Sequence, residues 1–324
     1  MRLIFPATLQ PVPNLKTRDD SFVFPDFLEI GAGIALHRHR KGDLLQEAAQ
    51  NYHQPPANFF LLLESERLLS DLKTQWPRGV EFPTNERVLH KAAMNSMMRL
   101  LVSLVLAGYV FNGNPAQRFF IQESDTGGWG IGSFFTNLPG YRAVNISLAE
   151  SPERWCEETF RRWFDLLAPY YRPEIECEDR IGIALNSFWH GMTTLKSDQQ
   201  VLSYTVVLEA LLATGSNEIT HQLAERVACL LATDARERLA LYHRTKGHYR
   251  TRSNLVHGNL AKTGLKASGA RWDPAAVHDL FTLARGVLRK ALADPPYCQL
   301  VKAKDDKQLN EFFLELLFGV RGRQ

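Results

Sequence analysis

The chain has 324 residues, of which 45% are hydrophobic and 23% are charged, so it is long enough to bury a sizeable core and to form two domains. Its 38 basic and 35 acidic residues give a formal charge of only +3, so the overall charge does not by itself indicate a nucleic-acid-binding protein. Any basic surface must therefore be local.

The cysteines and the apolar runs exclude several classes of protein. The four cysteines lack the close spacing of zinc ligands, so we expect no structural metal site and no cofactor. The longest apolar run, residues 100–111, contains Ser103 and Gly108 and is too short to cross a membrane. Prolines interrupt the apolar N-terminus, which does not resemble a secretory signal. We expect a soluble cytoplasmic protein with reduced thiols and no membrane partner.

Residues 1–172 show a mixed pattern that predicts an α+β domain. Helical patterns cover residues 58–75, 85–110 and 152–168. Short apolar stretches between glycine and proline turns predict strands within residues 118–123, 129–136 and 141–148, while residues 21–27 and 28–36 fit strands or irregular structure better than long helices. The segment PYYRP, which begins at Pro169, marks the boundary between the two domains.

Residues 173–324 predict an all-α helical bundle, which makes the chain mainly α overall. Ser197 or Asp198 is suited to cap the second helix, and Gly319 to end the last one. The predicted helices cover residues 181–193, 198–213, 218–232, 236–257, 275–293 and 307–318.

The end of the fourth of these helices carries the chemistry. Arg250 and Arg252 precede His257, and Gly258 is placed to end the helix. On an ideal helix Arg250, Asn254 and His257 share one stripe, because offsets of four and three residues return to the same side. Arg252 lies about 140° from His257, at roughly 100° per residue. An imidazole titrates near neutral pH and a guanidinium binds phosphate with two donors, so these residue types suit phosphodiester chemistry.

The motif YRTRSNLVHGN, which begins at Tyr249, resembles the HEPN domain family, and its form YRxRSxxVHG is similar to the ApeA-like branch. The family signature is an arginine and a histidine separated by four to six residues near the end of a helix. Arg252 with His257 gives the shorter spacing and Arg250 with His257 the longer one. Glu209 in the segment VVLEALLA is similar to an acidic residue that recurs in the family. The resemblance covers residues 174–319.

The resemblance implies a metal-independent endoribonuclease, with His257 as acid or base and Arg252 or Arg250 as the phosphate ligand. It implies RNA as the partner and a homodimer through the helical domain, in which twofold symmetry supplies a second histidine. It further implies a toxin-like or antiviral defence effector, with residues 1–172 as a sensor or regulator that responds to a protein or nucleotide trigger.

Simpler interpretations of the same residues stay open. A histidine before a glycine, as at His257, is typical of a helix cap. Asn254 could be an exposed polar residue, and Glu209 could serve only as a structural anchor for Arg252. Ser253 stands where many nuclease members have Asn, Asp or His directly after the motif arginine. This favours the alternative of a catalytically inactive HEPN module that binds RNA or a nucleotide or mediates dimerisation.

Overall fold

The computed structural model divides the chain into two compact units, Met1–Glu176 and Cys177–Gln324. The predicted boundary after residue 172 lies close to this division. The residues that the structure describes, and to which every structural statement below refers, are 2–7, 10–11, 27–31, 34–38, 59–64, 70, 73–74, 86–108, 111–112, 118–122, 129–133, 156–171, 179–194, 196–215, 218–258 and 274–320.

The first unit contains eight described strands. They are β1 (Arg2–Ala7), β2 (Gln10–Pro11), β3 (Phe27–Gly31), β4 (Ile34–Arg38), β5 (Phe59–Glu64), β6 (Phe111–Asn112), β7 (Arg118–Gln122) and β8 (Trp129–Ser133). Six of them form an antiparallel sheet in the order β3-β4-β5-β1-β7-β8, and β2 pairs with β6. β1 is internal, since it pairs with β5 from Arg2 opposite Glu64 and with β7 from Arg2 opposite Gln122.

The predicted helix over residues 58–75 is wrong in its first part, because Phe59–Glu64 is the strand β5. An unbroken run of apolar residues has no helical period, and it fits a strand with a neighbour on each side. β5 pairs with β1 on one side and with β4 on the other. Helical conformation is found at Ser70, Lys73 and Thr74. The predicted strand over residues 141–148 lies outside the described residues.

Two longer helices complete what is described of this unit, α1 (Glu86–Ala107) and α2 (Glu157–Leu167). They pack together through Arg99 of α1, whose Nε donates to the carbonyl of Phe164 at 2.7 Å and whose guanidinium lies 3.6 Å from the centroid of that ring. Burial lowers the pKa of Arg99 to about 10, and Asp165 opposes this shift. Much of residues 1–172 is outside the described part, so the α+β assignment of the whole domain stays a prediction.

The second unit is a helical bundle in which every predicted helix is present. The helices are α3 (Arg180–Thr193), α4 (Ser197–Leu212), α5 (Ile219–Leu231), α6 (Ala235–Val256), α7 (Pro274–Ala293), α8 (Pro295–Ala303) and α9 (Asp306–Leu317). The helix α8 was not predicted, because Pro295 and Pro296 look like a break although they occupy the first turn of a new helix capped by Asp294. Helices make up most of the described residues, so the described part of the chain is mainly α, as predicted.

The first residue of α4 differs from the prediction in one respect. Lys196 is the N-cap and makes no side-chain capping bond, while Ser197 is already the first helical residue. Asp198 instead accepts a hydrogen bond from the backbone N–H of Gln199 at 2.9 Å. None of the helices in the described part of the chain is long and apolar enough to span a membrane.

Aromatic and aliphatic side chains fill the core of the bundle. Phe188 of α3, Tyr204 of α4 and Phe281 of α7 form a buried triad, with ring centroids 5.5 to 5.9 Å apart. α3 packs along α4, α5 along α6, and α4 also packs against α7. The bundle therefore holds α4 at its centre and leaves α6 near its surface.

Side chains from three other helices bind the C-terminal end of α4. The hydroxyl of Tyr297 donates to the carbonyl of Leu211 at 3.0 Å, and Arg226 donates to the carbonyl of Leu212. Arg180 donates to the carbonyl of Ala213 at 2.9 Å. The last carbonyls of a helix have no partner within it and carry partial negative charge, so two guanidinium groups suit this end well.

Candidate functional site

The helix α6 positions the predicted motif. It begins at Asp234, whose side chain accepts from the N–H of Glu237 at 2.9 Å, while the carboxylate of Glu237 accepts from the N–H of Thr233 at 3.1 Å. This reciprocal pair satisfies N–H groups that the first turn leaves free. The helix ends at Val256, followed by His257 and then Gly258 with φ of +68°. The prediction that Gly258 ends this helix is confirmed.

Glu209 of α4 and Arg252 of α6 form the ion pair that was expected of them. An Nη of Arg252 lies 3.2 Å from Oε1 of Glu209, and the two side chains are 25% and 22% exposed. The guanidinium also lies 5.5 Å from the centroid of the Tyr249 ring. Because both charges are largely removed from water, each one needs the other.

Tyr249 completes this cluster of three residues, which we call the anchor cluster. Its ring lies beside the guanidinium of Arg252, and the carboxylate of Glu209 is near enough to influence its hydroxyl. Burial raises the pKa of Tyr249, and the negative charge and hydrogen bond of Glu209 raise it further. The anchor cluster thus fastens the last two turns of α6 to α4. The sequence predicts Tyr249 only as part of the motif, whereas in the structure Tyr249 belongs to the anchor cluster itself.

Arg250 and His257 lie on a different side of α6 and are exposed. Asn254, between them on the same stripe, is half-buried, as is Ser253. The carbonyl of Ser253 accepts from the N–H of His257 at 3.0 Å, which holds the histidine backbone at the end of the helix. The imidazole and the guanidinium of Arg250 are thus accessible to a solvent-borne phosphate.

The structure does not join Arg252 to His257 directly. Within the described residues, no hydrogen bond or ion pair links these two side chains, and the guanidinium of Arg252 is engaged by Glu209. The Nε of Arg252 is buried and makes no hydrogen bond to any residue described. The motif therefore separates into the inward-facing anchor cluster and an outward-facing pair, Arg250 and His257.

A second polar cluster, which sequence reasoning missed, lies between α6 and α7. Nε2 of His248 is 2.7 Å from Oδ2 of Asp279, and Nε of Arg244 donates to the same oxygen at 3.1 Å. A second nitrogen of Arg244 donates to Oδ1. The side chain of His248 is only 16% exposed and that of Asp279 27%. We call these three residues the Asp279 cluster.

The environment of His248 favours its neutral form. Burial lowers the pKa of His248, and the positive charge of Arg244 lowers it further. The carboxylate of Asp279 acts in the opposite direction, but Arg244 already balances its charge through two hydrogen bonds. Since a carboxylate only accepts, Nε2 of the neutral ring carries the proton and donates it to Asp279.

A signal for the Asp279 cluster is present in the sequence. Arg244, His248 and Arg252 are four residues apart, so they lie along one side of α6. Asp279 is the single acidic residue of α7. No local pattern shows that α6 and α7 meet at His248 and Asp279, which are 31 residues apart.

Comparison with protein-family models, with curated proteins and with solved structures finds no match for this chain. The residues of α6, whose spacing resembles the HEPN signature, are therefore the main indication of function. Among the described residues, no three His, Cys, Asp or Glu side chains are grouped so as to hold a metal ion.

Proposed function

We propose that this protein is a metal-independent endoribonuclease of HEPN type, in which His257 is the acid or base and a motif arginine binds the scissile phosphate. The observation that carries the proposal is the exposed pair of Arg250 and His257 on one stripe at the end of α6. The fixed attachment of that helix end to α4 by the anchor cluster supports it, because a catalytic group must be held in place to act.

The proposed reaction uses the 2′-hydroxyl of RNA as its nucleophile. A base removes the 2′-proton, the 2′-oxygen bonds to phosphorus, and the bond from phosphorus to the 5′-oxygen breaks. An acid then gives a proton to that 5′-oxygen, so the products are a 2′,3′-cyclic phosphate and a 5′-hydroxyl. A guanidinium stabilises the negative charge that builds on the phosphate oxygens.

The two arginines have different roles in this proposal. Arg252 is a positioning residue, because Glu209 holds its guanidinium and only 25% of its side chain is exposed. Arg250 is the phosphate ligand, since it is exposed and makes no ion pair within the described residues. Asn254, on the same stripe, adds a polar contact to the sugar or phosphate.

A second copy of the chain would complete the site. One imidazole cannot serve as base and acid on opposite sides of one phosphate, so twofold pairing of two helical domains would supply the second. The resemblance to the family supports this dimer. It also supports a toxin-like or antiviral defence role in the cytoplasm, with an N-terminal α+β domain that senses a protein or nucleotide trigger.

An RNA-cleavage assay in EDTA tests the catalytic proposal. We expect the wild-type protein to cleave RNA and His257→Ala to lose about 100-fold or more of the rate. His190→Ala is the matched control, because His190 is an exposed histidine near the end of α3 and is not part of the motif. Equal rates for wild type and His257→Ala over a broad RNA panel would end the catalytic proposal.

The assignment of the arginines has its own comparison. Arg250→Gln should lose about 100-fold in rate with an unchanged melting temperature, because it removes a charge from an exposed phosphate site. Arg252→Gln should lose stability as well as activity, because Glu209 would be left half-buried without its counter-charge. The reverse pattern would make Arg252 the phosphate ligand.

The alternative is a catalytically inactive HEPN module that binds RNA or a nucleotide or serves as a dimerisation adaptor. Two features favour this alternative: Arg252 is engaged in an ion pair with Glu209, and the residue after Arg252 is Ser253. Binding of RNA that weakens with salt and persists in His257→Ala, with no cleavage by the wild type, would support it over the nuclease.

A further inference from the structure

The outer face of α6 carries a regular stripe that extends well beyond the motif. Two sets of residues repeat along it at intervals of seven, which is close to two turns and drifts by only about 20° each time. We call the combined set the basic stripe. It consists of Arg236, His243, Arg250 and His257, with Ala240, Gly247 and Asn254 between them. All are exposed except Asn254, which is half-buried.

The charge of the basic stripe is of one sign. It contains two arginines and two histidines and no acidic residue. Neither Arg236 nor Arg250 forms an ion pair within the described residues. The other side of the helix differs, because Arg244 and Arg252 there are matched by Asp279 and Glu209. Intramolecular acids thus neutralise Arg244 and Arg252, whereas Arg236 and Arg250 have no acidic partner among the described residues.

Gly247 lies at the middle of the stripe. Glycine weakens a helix interior relative to alanine, so its presence there needs a reason or costs stability. A Cβ added at Gly247 would meet nothing within 4 Å, so no neighbouring helix of this chain requires the glycine. Gly247 and Ala240 have little or no side chain, so they leave a shallow surface beside His243 and Arg250. The backbone of an extended ligand can approach the helix closely there.

A long stripe on a helix can bind either a second copy of the chain or an extended polyanion, and the charge of the stripe distinguishes between these two partners. If a second copy placed its α6 antiparallel on this face, centred near Gly247, Arg236 would meet His257 of the other copy and His243 would meet Arg250. Such pairs bring no charges of opposite sign together, so nothing favours pairing along the whole stripe. The twofold pairing proposed above would involve the His257 end of α6 rather than the full length of the stripe. A polyanion has the complementary charge along its whole length.

We infer that the basic stripe is a track for single-stranded RNA that leads to the site at His257. The stripe is narrow, and its ends at Arg236 and His257 are 21 residues apart, or about 32 Å at 1.5 Å per residue. It therefore suits one strand whose phosphates contact Arg236 and Arg250 in turn, with imidazoles beside its bases or sugars. This inference rests on the proposed function, since it takes RNA as the substrate.

Binding of a fluorescent 12-nucleotide single-stranded RNA tests the track. All proteins carry His257→Ala so that no cleavage occurs during the measurement. We expect Arg236→Ala to weaken binding by about 3- to 10-fold at 0.1 M salt, and to reduce the slope of log affinity against log salt by about 0.7. Lys307→Ala is the control, because it removes an equal charge from an exposed position on α9.

A second measurement separates the track from the catalytic site. With His257 intact, Arg236→Ala should cleave a dinucleotide at the wild-type rate, because a dinucleotide cannot reach from His257 to Arg236, while cleavage of the 12-mer should slow at limiting substrate. If the wild type cleaves neither RNA but Arg236→Ala still weakens binding, the nuclease is wrong and the track holds.

Two results would overturn the track. The first is equal affinity of the Arg236→Ala and Lys307→Ala proteins for the 12-mer, together with normal cleavage of long and short RNA. The second is a change of oligomeric state in sedimentation with no change in RNA affinity, which would make the stripe an interface between copies of the chain.

Discussion

Arg226 is a buried cation whose partners are neutral oxygens. Only 5% of the residue is exposed, and within the described residues it forms no ion pair. Besides the carbonyl of Leu212, its guanidinium donates to the hydroxyl of Thr214 at 3.0 Å and to the side-chain oxygen of Asn310. Burial lowers the pKa of Arg226. The partial negative charge at the end of α4 therefore takes the place of a carboxylate.

Replacing this arginine should be costly to the fold. In Arg226→Met, the carbonyl of Leu212 and the side chains of Thr214 and Asn310 would lose their common donor, and we expect the free energy of unfolding to fall by about 2–4 kcal/mol. Urea unfolding measures the change. Arg236→Met, on the exposed side of α6, is the control and should change it by less than about 0.5 kcal/mol. Equal losses in the two variants would contradict this account.

His248 should make the stability of the protein depend on pH. Its pKa is lower in the folded state than the ordinary value of 6.5, because of burial and Arg244. The unfolded chain then binds the proton more readily, so the stabilisation is present above pH 6.5 and is lost as the pH falls through the folded pKa. Burial lowers the pKa of His278 as well, and it acts with the same sign.

His248→Gln tests this dependence, because a glutamine amide can still donate to Asp279 but does not titrate. Urea unfolding at several pH values from 5 to 8 should show a weaker acid destabilisation in His248→Gln than in the wild type. His190→Gln, an exposed site on α3, should keep the wild-type dependence. A steeper loss of stability at low pH in His248→Gln would refute the proposed direction.

At the scale of the elements, two glycines in helices should respond in opposite ways to the same substitution. A Cβ at Gly247 meets open space, whereas a Cβ at Gly191 would lie 2.4 Å from a ring carbon of Tyr204. Tyr204 is only 1% exposed and is packed between Phe188 and Phe281, so its ring has little room to move.

Gly247→Ala should raise the free energy of unfolding by about 0.5–1 kcal/mol, because alanine is the better helix former. Gly191→Ala should lower it by about 1–3 kcal/mol, because the added methyl overpacks the aromatic triad. Thermal unfolding of the two variants and of the wild type measures both changes. A stabilised Gly191→Ala protein would contradict this account, because it would show that the aromatic triad has room for an added methyl group.

The helices of the second unit were predictable because their signals are local. Periodic apolar residues mark α3, α5 and α7, and Gly258 and Gly319 end α6 and α9. The strand β5 was not predictable in this way, since its five successive apolar residues satisfy both a buried strand and a buried helix. Its identity depends on β1 and β4, which lie far from it in sequence.

In the candidate site, too, some features follow from the local sequence and others depend on contacts between distant elements. The spacing of Arg250, Arg252 and His257 is visible in the sequence, and a partner for Glu209 could be expected because its neighbours are apolar. Which arginine faces inward could not be predicted, since that depends on the rotation of α6 against α4. The Asp279 cluster required the contact between α6 and α7, for which no local signal exists.

At the scale of the whole molecule, each unit has its own core. The core of Cys177–Gln324 contains the aromatic triad and the side chains that bind the end of α4. We expect residues 177–324, expressed alone, to give a strongly helical circular dichroism spectrum and a single cooperative unfolding transition. A broad, uncooperative transition would show that this unit needs residues 1–176 to fold.

The way in which α6 is attached has a consequence for how the protein opens. Beyond Thr245 none of its residues is fully buried, and this half of the helix is held by Asp279 and Glu209. Dissolved ions partly screen these contacts, whose side chains are 22% to 47% exposed, and they do not screen packed hydrocarbon. Concentrated sodium chloride should therefore speed deuterium uptake in residues 246–257 while the amides of α4 stay protected, so the C-terminal half of α6 would open before the centre of the bundle.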